Sequence, residues 1–471
     1  MPCHPPSRRF RSIGVSMLVA AVAFTVSVEP LAAAAPVDAP PSSMVIDQVV
    51  QDISAEQIDH VVRTLASFGT RHTLSDATDS KRGIGAARRW LRSEFDRCAR
   101  NSGGRLLVSE DAFLADPQAG IPAPTTIVNV TATLPGERPA SRDRIYVVSG
   151  HYDSRNSDAL DGAGDAPGAD DDASGTAVVL VTACAMAKHH FGATLVFMAV
   201  AGEEQGLVGA THWASAARRQ GLDVAGMFTN DIVGSSRADD GSVEKTRVRL
   251  FAEGVPARAT LSESLQTLLS TGGENDSPAR ELARFVRAVA ALHVPSFTVD
   301  VVYRRDRYLR GGDHIPFLEA GYPALRFTEA HEDFRHQHQN VRLAGGVQYG
   351  DLVQFVDPQY TANVARVNAA ALAALALGPA APRNVMIETL KLENDTTLRW
   401  ETNPDPDVAG YRVRYRRTTS PDWEGARDVG NVARVTLPGM SKDDFLFGVE
   451  AVDRDGNASV ASYPRPYRAP L

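Results

Sequence analysis

Three apolar runs, at 144–149, 194–201 and 226–230, each stop at ionisable side chains. The first leads into Gly150-His-Tyr-Asp-Ser154, the second into Gly202-Glu-Glu-Gln-Gly206, and the third into Asp231. Helix-like stretches at 173–188 and 207–219 separate them. Further strand-like runs lie at 126–134 and 324–328, and helical patterns at 54–66, 82–98, 278–293 and 361–377. Apolar strands that alternate with helices predict an α/β fold, a mixed but mostly parallel sheet with helices on both faces. Sites in such sheets form beyond the carboxyl ends of the strands. His151, Glu203, Glu204 and Asp231 all fall at such ends.

At 471 residues the chain exceeds what one hydrophobic core usually supports. Its 43% hydrophobic and 23% charged residues are those of a globular protein. A net charge of −8 gives no support for binding nucleic acid or anionic membranes. Residues 1–35 read as a signal peptide. Arg8, Arg9 and Arg11 precede an apolar run at 13–28, and alanines at 32–35 offer a cleavage site. That run is shorter than the ~20 residues a membrane span needs. The expectation is an exported protein, secreted or periplasmic, without stable membrane insertion.

Residues 36–50 read as a flexible lead-in and 51–377 as the α/β domain. Gly378-Pro-Ala-Ala-Pro382 is a linker. In 383–471 the period changes to the alternation of β-strands, at 397–400, 410–416 and 445–452. Asn403-Pro-Asp-Pro-Asp407 and Asp453-Arg-Asp-Gly-Asn457 supply turns. This segment resembles a fibronectin type III-like sandwich, an all-β module open to polymer or cell-surface contact. Cys98 and Cys184 stand outside any metal-binding spacing, and either a disulfide or two buried thiols suits them.

The acidic and imidazole residues have bland readings when taken singly. Asp170-Asp-Asp172 precedes an apolar helix, where aspartates cap. Paired glutamates usually face solvent, and Asp231 alone reads as a turn residue. Glu203 and Glu204, however, follow a buried strand directly and point in different directions. One is placed to bind metal and the other to face substrate. Asp153 lies two residues beyond His151 on an extended segment, so its carboxylate is placed to take the second imidazole N–H.

Together Gly150-His-Tyr-Asp-Ser154, Pro167-Gly-Ala-Asp-Asp-Asp-Ala-Ser-Gly175 and Ala201-Gly-Glu-Glu-Gln-Gly-Leu207 resemble the signature stretches of a zinc aminopeptidase family. That family includes secreted bacterial leucyl aminopeptidases and glutamate carboxypeptidase-like enzymes. The resemblance covers roughly 50–377. Gly312-Asp-His-Ile-Pro-Phe317 resembles a further stretch near the substrate pocket. The resemblance implies two Zn2+ per chain and a peptide or protein substrate. It implies Asp171 as the bridge, His151 and Asp231 on one zinc, and Glu204 with a late histidine on the other. Glu203 would be the general base and Asp153 would orient His151. In Arg335-His-Gln-His-Gln-Asn340 the resemblance implies His338 as the late ligand, with His336 as the alternative. His189, His314 and His331 read as surface or supporting residues.

The expected activity is that of an aminopeptidase. A metallocarboxypeptidase or dipeptidase is the alternative, with Arg304, Arg305, Arg307 and Arg310 placed to hold a substrate carboxylate. A related fold supports a single-zinc glutaminyl cyclase, but five ligand positions suit two metals. A non-catalytic peptide-binding protein is the reading from another class.

Overall fold

The computed structural model describes residues 44–256 and 263–467. The expected signal peptide and residues 36–43 lie outside them. The rest of the expected flexible lead-in is corrected. Residues Met44–Gln51 form helix α1, with Ile46 and Val49 buried. Val45, Ile46, Val49 and Val50 recur at helical spacing, and the apolar face they make outweighs the Pro- and Ala-rich composition before it.

The main sheet has eight strands: β1 (Leu107–Ala115), β2 (Thr125–Leu134), β3 (Arg144–His151), β4 (Thr194–Val200), β5 (Asp223–Asn230), β6 (Arg247–Ala252), β7 (Thr298–Val302) and β8 (Ala324–Glu329). Their spatial order is β1-β2-β4-β3-β5-β8-β6-β7. The pairs β3–β4, β3–β5, β5–β8 and β6–β7 are parallel, and β1–β2, β2–β4 and β6–β8 antiparallel. β3 and β4 are buried along nearly their whole length, as central strands covered on both faces must be.

The remaining helices are α2 (Ala55–Ser67), α3 (Ile84–Asn101), α4 (Ala173–Met186), α5 (Val208–Gln220), α6 (Glu263–Ser270), α7 (Pro278–His293), α8 (His314–Glu319) and α9 (Pro358–Leu377). Ser54 caps α2 in a capping box with Gln57. α4 is apolar all round and buried nearly all round, held between β3 and α2, α3 and α9. α5 and α8 cover the opposite face over Val147, Val196, Met198 and Met227. Cys98 on α3 and Cys184 on α4 form a disulfide, with Cα atoms 5.1 Å apart.

Close approach at the strand ends requires glycine. A Cβ on Gly150 would lie 2.4 Å from the Gly175 carbonyl carbon, and one on Gly175 would lie 2.1 Å from the Asn230 oxygen. These two glycines let the ends of β3 and β5 meet the first turn of α4.

A short hairpin follows, β9 (Arg342–Ala344) and β10 (Val347–Tyr349). The C-terminal segment has seven strands: β11 (Arg383–Glu388), β12 (Thr396–Glu401), β13 (Val408–Arg417), β14 (Gly425–Gly430), β15 (Arg434–Leu437), β16 (Phe445–Asp453) and β17 (Arg465–Tyr467). They make sheets in the orders β15-β12-β11-β17 and β14-β13-β16, around Leu398, Trp400, Tyr411, Val413 and Phe447. This all-β sandwich is docked on the α/β domain by buried charge. Arg416 Nη2 lies 2.6 and 2.9 Å from the two Asp276 carboxylate oxygens, and Trp423 Nε1 donates to Glu281 at 3.0 Å. The linker is held too, since Arg144 Nη2 donates to the Gly378 carbonyl at 2.6 Å. Among the described residues no helix is long and apolar enough to cross a membrane.

Candidate metal centre

The parallel strands deliver their terminal residues to one point. His151 ends β3, Asp231 follows β5, and Glu203 and Glu204 follow β4. Asp171 lies in the loop before α4, and His338 in the loop before β9. Asp171 stands between the two imidazoles. Its Oδ1 is 3.1 Å from His151 Nε2 and its Oδ2 is 3.0 Å from His338 Nε2. His338 Nε2 is also 2.9 Å from Glu204 Oε1, and His151 Nε2 is 4.0 Å from Asp231 Oδ1.

Two groups of donor atoms result. His151, Glu203 and Asp231 form one, and Asp171, Glu204 and His338 the other, with donors in each within 4.8 Å of one another. Each group offers only imidazole nitrogen and carboxylate oxygen. That donor set fits zinc, and three protein ligands leave a coordination position open, as catalytic zinc sites do. The four carboxylates of the cluster are all buried or partly buried, and such a concentration of charge calls for cations.

The supporting contacts are specific. Asp172 caps α4, with Oδ1 accepting from Gly175 N at 2.9 Å, while its Oδ2 accepts from His151 N at 2.9 Å. Capping accounts for that one aspartate only. Asp170 instead accepts from Gly234 N at 2.7 Å. Asp153 departs from the expected geometry. Its carbonyl, not its carboxylate, is the nearer partner of His151 Nδ1, at 3.2 Å against 3.6 Å. The carboxylate accepts from the backbone N–H of Glu203 and Glu204, at 3.4 and 3.2 Å, and from Thr73 Oγ1 at 3.2 Å. It therefore fixes the glutamate turn as well as facing the histidine.

Burial and neighbouring charge set the protonation of the metal-free cluster. Burial, together with Asp231, Glu204 and Asp313, drives the Glu203 carboxyl well above its usual range, against the opposing pull of His151. Burial alone would raise Asp171 and lower His338. Hydrogen bonds from His151 and His338 instead hold Asp171 well below the ordinary range. Glu204 and Asp171 likewise carry His338 up to about 10. Ligand and proton thus compete for the same atoms.

His336, the alternative late ligand, is stacked on Phe355 with ring centroids 3.6 Å apart. His314 is not at the surface but fully buried, against the Arg305 carbonyl at 2.9 Å. Three of the arginines expected to hold a substrate carboxylate are occupied. Arg305 pairs with Glu319 at 3.0 Å, Arg307 with Glu332 at 3.1 Å, and Arg310 with Glu332 at 2.6 Å.

Three contributors escaped the sequence reading. Arg71 is fully buried and donates to the carbonyls of Tyr152 at 2.7 Å, Gly168 at 2.8 Å, and Pro167. It ties the His151 segment to the Asp171 loop. Asp351 accepts from Asp170 N at 2.8 Å and Asp171 N at 2.7 Å, which fixes the backbone that carries Asp171. Arg326, fully buried on β8, lies 2.9 Å from Asp231 Oδ1. None of the three belongs to a local motif. The sequence placed Arg326 on a strand-like run and carried no signal for Arg71 or Asp351. Ile232, next to Asp231, has φ of 59°, a conformation that β-branched residues rarely adopt. Glu329 N and Thr328 Oγ1 hold its carbonyl at 2.8 and 3.0 Å.

Residues 129–342 match the model of peptidase family M28. A probable zinc metalloprotease of Leptosphaeria maculans is 48% identical over 422 residues, covering 89% of this chain and 97% of the relative. A probable zinc metalloprotease of Pyrenophora tritici-repentis is 47% identical over 89% of this chain and 86% of its own. In fold, the chain is similar to LapB of Legionella pneumophila, with a TM-score of 0.53 at 18% identity over 73% of this chain and 78% of that one. The identity and coverage of these relatives, and the matched segment that contains His151, Asp171, Glu203, Glu204, Asp231 and His338, show that the chain belongs to peptidase family M28.

Proposed function

We propose that this chain is an exported di-zinc aminopeptidase in which Glu203 is the general base. The observation that carries this reading is the position of Asp171, whose two carboxylate oxygens face two histidines that belong to separate donor groups. A carboxylate so placed suits the bridge of a two-metal site. Zinc, when bound, supplies a Lewis acid that polarises the scissile carbonyl and eases deprotonation of water.

The chain's own residues do the rest. His151 and Asp231 would hold one metal position, Glu204 and His338 the other, and Asp171 both. Glu203, partly buried beside His151 and Asp231, takes a proton from the attacking water and returns it to the leaving amine. The new C–O bond forms first, and the C–N bond then breaks as the leaving amine takes the proton from Glu203. Asp153 keeps Glu203 and Glu204 in place through their N–H groups. A free α-ammonium finds carboxylates at this site. A terminal carboxylate finds Arg305, Arg307 and Arg310 already paired, which favours the aminopeptidase over the carboxypeptidase reading.

The test is a hydrolysis screen over matched peptides with free and acetylated N-termini, with and without a chelator. The reading expects cleavage of the free peptides only, abolished by the chelator and restored by zinc. Cleavage of acetylated peptides from the C-terminus would instead establish the carboxypeptidase, and binding without turnover the non-catalytic protein. Export is proposed from the sequence of residues 1–35, and recovery of the protein shortened at its N-terminus outside the cytoplasm would support it.

A further inference from the structure

Two loops that meet at the metal centre also carry large apolar side chains turned out to solvent. The first joins β7 to α8. Its end packs on the centre, since a Cβ on Gly312 would lie 3.1 Å from Asp231 Oδ2. Its tip presents Tyr308 and Leu309, 75% and 93% exposed. The second follows β8, brings in His338 and runs into the β9–β10 hairpin. It presents Phe334 and Leu343, 59% and 73% exposed.

Contacts knit these loops into one rim. Arg307 and Arg310 of the first reach Glu332 of the second at 3.1 and 2.6 Å. The Arg310 guanidinium lies 5.7 Å from the centre of the Phe334 ring. The second loop is tied in turn to the segment after His151, where Ser157 N and Oγ donate to Asn340 Oδ1 at 3.2 and 2.8 Å. That segment exposes Leu160 as well.

Leu309 is the sharpest case. Its φ of 56° lies in the left-handed region, which bulky residues rarely adopt. A leucine is thus held both in a strained backbone and in water. Neither stabilises the free protein, and strain of this kind gathers at ligand clamps. Exposed apolar side chains grouped in one place mark a binding surface. The occupant follows from position, because a substrate whose terminus reaches the centre leaves it past the loops anchored there.

We propose that Leu309, Phe334 and Leu343, with Tyr308, form an apolar collar for substrate residues beyond the scissile bond, so that preferred substrates are extended peptides with apolar residues there. This rests on the aminopeptidase reading above and adds a substrate class to it. The collar acts by being covered. An apolar substrate residue laid against it removes both surfaces from water, and partial burial of one large side chain is worth about tenfold in affinity. A polar residue in the same place forfeits that gain. None of the four side chains belongs to the donor groups, so the preference should appear in KM more than in kcat.

The experiment compares hydrolysis of two pentapeptides with free N-termini by the zinc-loaded protein. Both begin Leu-Gly and continue with either three apolar residues or three serines. Leucine p-nitroanilide, which ends at the scissile bond, is the third substrate. The wild type should favour the apolar peptide by at least about tenfold in kcat/KM, mostly through KM. Replacing the collar together, by Leu309→Ser, Phe334→Ser and Leu343→Ser, should bring the two peptides to within about twofold of each other. A wild type that does not distinguish the peptides would overturn the proposal and leave the aminopeptidase reading standing. So would a uniform loss across all three substrates, or an apolar preference that survives the triple variant. Self-association of the wild type that disappears in the variant, with the preference unchanged, would assign the collar to a second copy of this chain and overturn it too. Failure to cleave any of the three substrates would overturn the aminopeptidase reading itself, and the collar's role with it.

Discussion

His338 Nε2 lies 2.9 Å from Glu204 Oε1, across 134 positions of sequence, while His336 is turned away and stacked on Phe355. His338 reaches this point in a left-handed backbone conformation, φ 53°, that aims its ring into the cluster. His338→Ala should therefore lower kcat/KM by at least about 100-fold, at or beyond the upper end of the cost of losing a partner outside the ligand set, and should reduce bound zinc. His336→Ala should keep zinc and most activity. Metal analysis and peptide hydrolysis on the two variants check this, and equal losses in both would contradict it.

Glu203 shares a donor group with His151 and Asp231, and desolvation in this partly buried cluster pushes its carboxyl well above the usual range. As general base it should matter more to turnover than to metal retention. Glu203→Ala should reduce kcat by about 100- to 10,000-fold while zinc content stays close to that of the wild type. Parallel assay of zinc and turnover separates this from a purely structural ligand, whose loss would lower both.

Arg71 makes three hydrogen bonds to carbonyls on the segments that carry His151 and Asp171. Arg71→Met leaves those buried carbonyls unpaired and frees the two segments from each other. Zinc affinity should fall by about 10- to 100-fold, and Arg71→Lys, which keeps one charged donor, should recover part of it. A chelator competition reads the effect. An unchanged affinity in Arg71→Met would show that the loops hold their places without it.

His314 is buried against the Arg305 carbonyl, and burial, aided by Arg326 and Arg307 against the pull of Asp306, pushes its imidazole down to about 4. The unfolded chain binds a proton there near 6.5, so between the two values it holds more protons than the native state. Stability must rise with pH through that window and fall as pH drops from about 6.5 towards 4. The upper bound is about 3.5 kcal/mol, at roughly 1.4 kcal/mol per pKa unit. Denaturant unfolding of wild type and His314→Gln at pH 5 and pH 7 checks it. The difference between the two pH values should shrink in the variant.

The sheet and most of the site were legible because they are written locally. An apolar run that stops at His151, at Glu203-Glu204 or at Asp231 states both the strand and the place where its end emerges. Asp171 was legible only through the family resemblance, which implied a bridge there; its two carboxylate oxygens face His151 and His338. The parts that were not legible act through backbone atoms far along the chain. Arg71 works on carbonyls more than 80 positions away, and Asp351 on amides about 180 away, with no periodicity to betray either. Asp153 was assigned to the histidine by strand alternation, but the turn after β4 brings two N–H groups to its carboxylate. His336 and His338 share an irregular loop, where spacing cannot tell which ring turns inward. α1 was read as loose because prolines precede it, yet four apolar residues at helical spacing dock it.

The most direct test of the central claim is anomalous diffraction at the zinc edge on crystals of the zinc-loaded protein. Two peaks are expected, one bounded by His151, Asp231 and Glu203 and the other by Glu204 and His338, with Asp171 between them about 3.5–4 Å apart. No peak at these side chains, or a single peak under saturating zinc, would contradict it.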